Sequence, residues 1–129
     1  MQVNQRYIIS VPTYSLPRNR RLNDAAAFAA VFRFQHQARS NYVQICAKPN
    51  GLPYSRLGLI VSKKVERGSV KRNWIKRLFR ETFRTFQVNN GTEQMDWVMR
   101  LRRPVSADIA TEFTAEVRLL MHQLQKCHD

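Results

Sequence analysis

Apolar residues recur every three or four positions in three segments of the chain, a spacing that places them on one side of an α-helix. The predicted helices cover 25–34, about 70–86 and about 109–124. Three shorter apolar segments bounded by turn residues are predicted to be strands, over 41–47, 56–62 and 95–101. This order predicts an α+β fold, a two-layer sandwich in which the helices pack on one sheet.

Polar segments set the predicted boundaries of these elements. Asp24 is a suitable N-cap for the first helix, because its carboxylate can accept a hydrogen bond from a free backbone N–H. Pro49-Asn50-Gly51 supplies turn residues, so the first two strands are predicted to form an antiparallel hairpin. Asn89-Asn90-Gly91 is predicted to end the second helix. We expect residues 1–17 to form an irregular arm and residues 18–129 to form a single domain.

The chain is strongly basic, with 22 Lys and Arg against nine Asp and Glu, which gives a net charge of +13. Residues 1–84 hold 17 of the bases and three of the acids, so the excess positive charge belongs to the first two thirds of the sequence. Such an imbalance attracts polyanions, and its uneven placement favours a binding face over a uniformly charged surface. Nucleic acid is the predicted partner.

Neither a membrane nor an oxidising compartment is indicated by the sequence. No segment approaches the roughly 18 consecutive apolar residues of a membrane span, and Met1–Ser10 lacks the apolar block of a secretory signal. Cys46 and Cys127 alone do not make a disulfide framework. We therefore expect a cytoplasmic protein with no membrane partner.

The second predicted helix has an apolar side and a cationic side. At about 100° per residue, Ile75, Leu78, Thr82 and Phe86 cluster on one side. The opposite side carries Arg72, Asn73, Lys76, Arg77, Arg80 and Arg84. The candidate RNA-binding set also includes Lys63, Lys64, Arg67 and Lys71. Solvated helix faces usually mix both signs of charge, and here only Glu81 is nearby to compensate, so this surface is predicted to bind RNA.

Two segments carry a family resemblance that composition alone does not supply. Arg56–Lys64, followed by Arg72–Glu81, closely resembles the signature of the bacterial ribonuclease P protein subunit. The specific part is Ser-Lys-Lys followed at this spacing by Arg-Asn-x-Ile-Lys-Arg-x-x-Arg-Glu. Further similar positions are Leu16-Pro17-Arg18, Arg21-Leu22, Phe28, Phe32 and Asp96-Trp97-Val98-Met99. The resemblance covers approximately residues 16–125.

One position departs from the family pattern. The family usually has Arg-Asn-Arg at the start of this helix, whereas this chain has Arg72-Asn73-Trp74. Trp74 lies at the border between the apolar and cationic sides, and we expect it to pack as an apolar residue rather than to stack on an RNA base. Any RNA contact that an arginine would make there is lost.

The resemblance implies a function and a site. Proteins of this family assist a catalytic RNA that removes the 5′ leader from precursor tRNA, so the implied partners are that RNA and the precursor tRNA. The chemistry belongs to Mg²⁺ ions bound mainly by the RNA, with no catalytic residue and no tightly bound metal in the protein. Arg72, Asn73, Lys76, Arg77 and Arg80 are implied to lie on the catalytic RNA or close to the cleavage site, with Lys63 and Lys64 nearby. The resemblance assigns a cleft for the single-stranded leader to Phe28, Phe32, Val43 and Ile45. An aromatic pair four residues apart on an Ala-rich helix is usually part of the core, but the resemblance favours partial exposure of the two phenylalanines.

The resemblance also implies a left-handed βαβ crossover, as in a ribosomal-protein domain, although such crossovers are right-handed in about 98% of proteins. Two other functions use the same basic helix. The chain could be a structural ribosomal component, or a DNA-binding regulator, for which we find neither helix-turn-helix spacing nor a dimerisation repeat. We expect a monomer apart from RNA. The histidines at 36, 122 and 128 lack partner motifs and are expected at the surface or partly buried.

Overall fold

A computed structural model describes residues 16–86 and 93–126 of the chain. Its helices are α1 (Ala25–Phe34), α2 (Ser69–Thr85) and α3 (Ala110–Lys126), with short 3-10 turns at Arg18–Arg20 and Ala107–Ile109. Its strands are β1 (Gln37–Arg39), β2 (Val43–Pro49), β3 (Arg56–Ile60) and β4 (Met95–Leu101). The α+β fold is confirmed. The predicted helix stop at Asn89-Asn90-Gly91 and residues 1–15 of the predicted arm lie outside the described residues.

The first helix begins as its sequence predicts. The Asp24 carboxylate accepts a hydrogen bond from the Ala27 backbone N–H at 2.7 Å, which satisfies one of the free donors of the first turn. The helix ends at Gln35, which adopts the left-handed conformation with φ of 61°. Such a residue lets the chain turn sharply out of the helix and into β1.

The four strands lie in the order β1-β2-β4-β3. The predicted hairpin of β2 and β3 is wrong, because β4 lies between them, antiparallel to β2 and parallel to β3. β4 is buried along almost its whole length, which suits a central strand and not an edge strand. The hairpin in the structure joins β1 and β2. The sequence did not predict β1, because Gln37–Arg39 is short and polar. The handedness of the β3-α2-β4 crossover stays a prediction.

Helices cover the two faces of the sheet unequally. α2 and α3 pack on one face, where the Phe79 and Phe113 rings meet at a centroid distance of 5.4 Å and both side chains are buried. Burying each of these rings stabilises the fold by about 1.5–3 kcal/mol. A smaller cluster of Leu22, Val31, Cys46 and Val98, with Phe28 beside it, lies under α1 on the other face.

A glycine permits the close approach of α1 to β3. A Cβ atom built on Gly58 would lie 2.5 Å from Cζ of Phe28 and 3.2 Å from Cβ of Leu22. Real Cβ atoms do not approach other heavy atoms so closely, so a side chain at position 58 would displace the Phe28 ring. Gly58 therefore fixes where the first helix sits on the sheet. None of the helices within the described ranges is long and apolar enough to cross a lipid bilayer.

Candidate nucleic-acid interface

One side of α2 is built into the core. Ile75 and Phe79 are completely buried, and Trp74, Thr82 and Phe83 are nearly so. The expectation that Trp74 packs as an apolar residue is confirmed, since only 4% of its surface is exposed. Leu78 and Phe86, predicted on the apolar side, are half-buried at its margins. The helix is therefore anchored along its length, and its other side is left to solvent.

The structure describes every residue of the candidate RNA-binding set, three in the loop before α2 and seven on the helix, and they are exposed to different degrees. The exposed members are Lys63, Lys64, Arg67, Asn73, Arg77 and Arg84. The half-buried members are Lys71, Arg72, Lys76 and Arg80. Burial lowers the pKa of the Arg80 guanidinium, and the nearby charges of Arg21 and Arg77 lower it further. These cations are thus close enough to repel one another.

Ion pairs occupy only the two ends of this surface among the described residues. Lys71 Nζ lies 3.4 Å from the Glu66 carboxylate at the start of α2, and Arg84 pairs with Glu81 near its end. Within the described part of the chain, Lys76, Arg77 and Arg80 have no carboxylate oxygen within 4.0 Å. The middle of α2 therefore presents positive charge that the described residues do not neutralise.

Arg72 has a structural role that the helical pattern does not reveal. Its Nη1 donates hydrogen bonds to the backbone carbonyls of Glu66, at 3.0 Å, and Arg67, at 2.7 Å. The buried Glu66 carboxylate accepts a hydrogen bond from the Gly68 N–H at 3.2 Å, at the N-cap of α2. The loop that carries Lys63, Lys64 and Arg67 is thereby fastened to the start of the helix.

The two predicted aromatic residues of α1 have the partial exposure that was expected of them. Phe28 is half-buried against Gly58, and Phe32 is 37% exposed, so both are partly exposed as predicted. The assignment of Val43 and Ile45 to the same cleft is wrong. Both are completely buried in the core on the α2–α3 face, and successive residues of a strand point to opposite faces of a sheet.

Beside the apolar cluster under α1, the α1 face of the sheet carries a row of polar residues. Strand register aligns Arg39, Gln44 and Arg100 in one row across β1, β2 and β4. Arg39 and Arg100 are exposed, and Gln44 is half-buried. Sequence reasoning missed this row because it took the apolar residues of β2 as cleft residues; the alternation of polar with apolar positions along β2 was the available signal.

A second row on this face holds an ion pair. Arg56 Nε and Nη2 donate to the two Asp96 carboxylate oxygens at 2.7 and 2.6 Å, and Asn50 Nδ2 donates to the same carboxylate at 3.0 Å. The hydrogen bond that Arg56 donates to Asp96 raises the pKa of the Arg56 guanidinium. This bidentate pair joins the edge strand β3 to β4 and neutralises the nearly buried carboxylate.

The described histidines lie where expected. His36 is half-buried, with Nε2 2.8 Å from the Leu124 carbonyl oxygen. His122 is exposed and its ring packs on Phe86 at 4.8 Å between centroids. His128 and Cys127 lie outside the described residues, and Cys46 is a buried free thiol. Across residues 16–86 and 93–126, no group of three or more His, Cys, Asp or Glu is arranged to hold a metal ion.

Comparison with known proteins identifies relatives of this chain. The family model of Ribonuclease P matches residues 16–125. The "Ribonuclease P protein component" of Nitrosomonas eutropha is 44% identical over 113 residues, covering 85% of this chain and 91% of that protein. The protein of the same name from Chromobacterium violaceum is 35% identical over 114 residues, covering 88% of this chain and 93% of that protein.

Solved structures agree with the sequence relatives. The RNase P protein from Thermotoga maritima is similar with a TM-score of 0.59 and 29% identity, covering 84% of this chain and 97% of that one. The Staphylococcus aureus RNase P protein shares the fold with a TM-score of 0.62 at 24% identity, covering 84% of this chain and 94% of that one. With its cationic helix, its four-stranded sheet and relatives along nearly its full length, this chain belongs to the ribonuclease P protein family.

Proposed function

We propose that this chain is the protein subunit of ribonuclease P, which binds the catalytic RNA subunit and the 5′ leader of precursor tRNA and assists endonucleolytic removal of the leader. The observation that carries the proposal is the set of cations in the middle of α2, which lack carboxylate partners among the described residues and lie opposite a fully packed apolar side. Family membership supplies the kind of RNA.

The cationic surface suits an RNA backbone for electrostatic reasons. Arginine presents a planar fork of N–H donors that matches two phosphate oxygens, and lysine adds a point charge. Repulsion among Arg77, Arg80 and Arg21 is relieved when phosphates lie between them. The same neutralisation reduces the repulsion between two RNA molecules brought together on one protein. Chemistry is assigned to Mg²⁺ held mainly by the RNA, as the family resemblance implies, and the protein's residues bind and orient.

The α1 face of the sheet is the proposed site for the leader. Arg39 and Arg100 can contact phosphates, and Phe32 offers an exposed ring on which a base can stack. Cations combined with aromatic rings bind single strands with little sequence preference, which suits a leader whose sequence varies between precursors. Gln44, in register between the two arginines, adds a hydrogen-bonding side chain. These residues replace Val43 and Ile45 in the proposed cleft.

A cleavage assay tests the proposal. Precursor tRNA with a labelled leader is incubated with the cognate catalytic RNA at low Mg²⁺, with and without the protein. We expect the protein to increase the rate of leader removal, and we expect Arg77→Glu to lose most of that increase while Arg103→Glu retains it. Arg103 is an exposed arginine in the loop after β4. No gain in rate on adding the wild-type protein would reject the proposed function.

A further inference from the structure

The chain passes from one side of the sheet to the other between α1 and β1. It leaves α1 at Gln35, whose left-handed backbone turns it into the sheet. The carbonyl of the next residue, His36, accepts a hydrogen bond from the Ala47 N–H at 2.9 Å. Ala38 and Ala47 both pack into the core on the α2–α3 face. Since side chains alternate along a strand, the His36 side chain lies on the face opposite α1.

The His36 side chain contacts the end of α3. Its Nε2 lies 2.8 Å from the carbonyl oxygen of Leu124, a residue 88 positions along the chain. α3 ends at Lys126, so this carbonyl is one of the last four of the helix, which have no partner within it. A carbonyl oxygen can only accept, so Nε2 is the donor. The bond therefore satisfies a helix-end carbonyl and joins α3 to the start of β1.

β1 depends on contacts at its ends. It has only three residues, and among the described strands it lies at the edge of the sheet, paired with β2 alone. Gln37 and Arg39 are exposed, so only Ala38 packs on the core. Beyond the far end of the strand, Arg102 Nη1 donates to the Ser40 carbonyl. The bond from His36 to α3 holds the other end.

Side chains of β1 belong to the site proposed above for the leader. Arg39 is aligned with Gln44 and Arg100 across three strands. The Gln44 side-chain amide donates to Oε1 of Gln37, the first residue of β1, so β1 also orients the second member of this row. A shift of β1 would therefore move one cation of the row and release the glutamine beside it.

We propose that His36 is a positioning residue for the leader site. Its bond to the end of α3 holds β1 in place, and β1 in turn places Arg39 and Gln44 on the α1 face of the sheet. His36 itself lies on the opposite face and does not contact the leader. The effect on the leader rests on the proposed function, whereas the effect on β1 does not.

The first test measures amide hydrogen exchange of the full chain at the two ends of the β1–β2 pairing. The reporters are the Ala47 N–H and the Ser40 N–H, which donates to the Val43 carbonyl at 2.8 Å. His36→Leu removes the side-chain donor but keeps apolar bulk, and exchange at both amides should become about threefold to tenfold faster. His36→Gln keeps an N–H donor at a similar reach, so its rates should stay within about twofold of the wild type.

Two further variants control this test. His122→Leu also removes an imidazole from the protein, but from an exposed position on α3, and should leave both exchange rates unchanged. His36→Asn has a donor on a shorter side chain and should behave like His36→Leu, which covers the case in which the leucine variant does not fold. Wild-type rates in His36→Leu or His36→Asn, or equal increases in His36→Leu and His36→Gln, would overturn the proposal, because the bond to Leu124 would then not be what holds β1.

The second test compares the affinity for a precursor tRNA with that for the same tRNA lacking its leader, both in the presence of the catalytic RNA. His36→Leu should reduce the preference for the precursor by about threefold to tenfold, and His36→Gln should restore it. Affinity for the leaderless tRNA should not change, which a general loss of stability would not produce. Faster exchange in β1 with an unchanged preference would overturn the positioning role. If the wild type shows no preference, the proposed leader site fails, and hydrogen exchange alone decides whether His36 holds β1.

Discussion

Arg72 holds the loop before α2 in place through two hydrogen bonds. Its Nη1 donates to the Glu66 carbonyl at 3.0 Å and to the Arg67 carbonyl at 2.7 Å. Glu66 in turn accepts a hydrogen bond from the N–H of Gly68, the N-cap residue of α2, and pairs with Lys71. Arg72 is therefore a positioning residue for the cations of the loop, and its charge is only part of its contribution. This separates it from Arg77, which is exposed and has no carboxylate within 4.0 Å in the described ranges.

Arg72→Lys should destabilise the fold although it keeps the positive charge. A lysine ammonium on a flexible stem cannot reproduce the fixed geometry that joins two carbonyls, and the loss should be about 1 kcal/mol in the free energy of unfolding. Arg77→Lys is the matched control and should change stability by less than about 0.5 kcal/mol. Urea unfolding measures both. Equal stabilities for the two variants would show that the Arg72 hydrogen bonds contribute nothing to the fold.

Arg77→Glu should weaken RNA binding without unfolding the protein. The side chain is exposed and off the core side of α2, so reversal of its charge should cost about tenfold or more in affinity for structured RNA at low salt. The unfolding midpoint should stay close to that of the wild type. Filter binding measures the affinity for RNA, and circular dichroism on the same sample measures the unfolding midpoint. A loss of thermal stability that parallels the loss of affinity would contradict the prediction.

Gly58→Ala should disturb α1 on the sheet. The new methyl group would lie 2.5 Å from the Phe28 ring, so the ring or the helix must move, at a cost of about 1–3 kcal/mol. Gly68→Ala is the control for steric overlap, because the nearest neighbours of its new methyl group lie at 3.6 and 3.9 Å; its own cost, of about 1 kcal/mol at most, comes from placing alanine at the N-cap of α2. Crosslinking of a single-stranded leader to the protein should also fall for Gly58→Ala. A variant as stable as Gly68→Ala would mean that Phe28 does not fix the position of α1.

The Cys46 thiol should resist modification in the native protein. Burial raises its pKa, although Arg100 opposes the shift, so the reactive thiolate is scarce near neutral pH. Because the folded-state pKa is raised, deprotonation at alkaline pH favours the unfolded state, and stability should fall as pH rises through the folded-state value. Labelling with a thiol reagent, in a Cys127→Ser background, should be slow until denaturant is added. Rapid labelling of the native protein would contradict the buried placement.

Sequence alone predicted the elements better than their arrangement. The helices and β4 were predictable because their apolar periodicity is long and regular, and Asp24 marks the start of α1. Strand pairing was not predictable, since turn residues at 49–51 allow a hairpin but do not exclude insertion of β4 between β2 and β3. Local turn chemistry cannot report a contact formed by a segment more than 40 residues away.

The candidate site, like the fold, could be predicted from the sequence only in part. The cationic side of α2 follows from a helical wheel and needs no tertiary information. Val43 and Ile45 were assigned to the wrong face of the sheet. Which face a β2 residue lies on depends on which helices cover that face, and this is known only from the folded protein, where β2 pairs with β4. The bond from Arg72 to its loop, and the approach of Arg21 to Arg80, likewise depend on the fold.

The salt dependence of binding to the cognate catalytic RNA tests the claim that α2 is a phosphate-binding surface most directly. If six to ten phosphates are contacted, the affinity of the wild type should fall by about a thousandfold or more between 50 and 200 mM salt. Charge-neutralising variants of Lys76, Arg77 and Arg80 should each reduce the slope by about one. An affinity that stays flat across this range, or slopes unchanged in all three variants, would contradict the account.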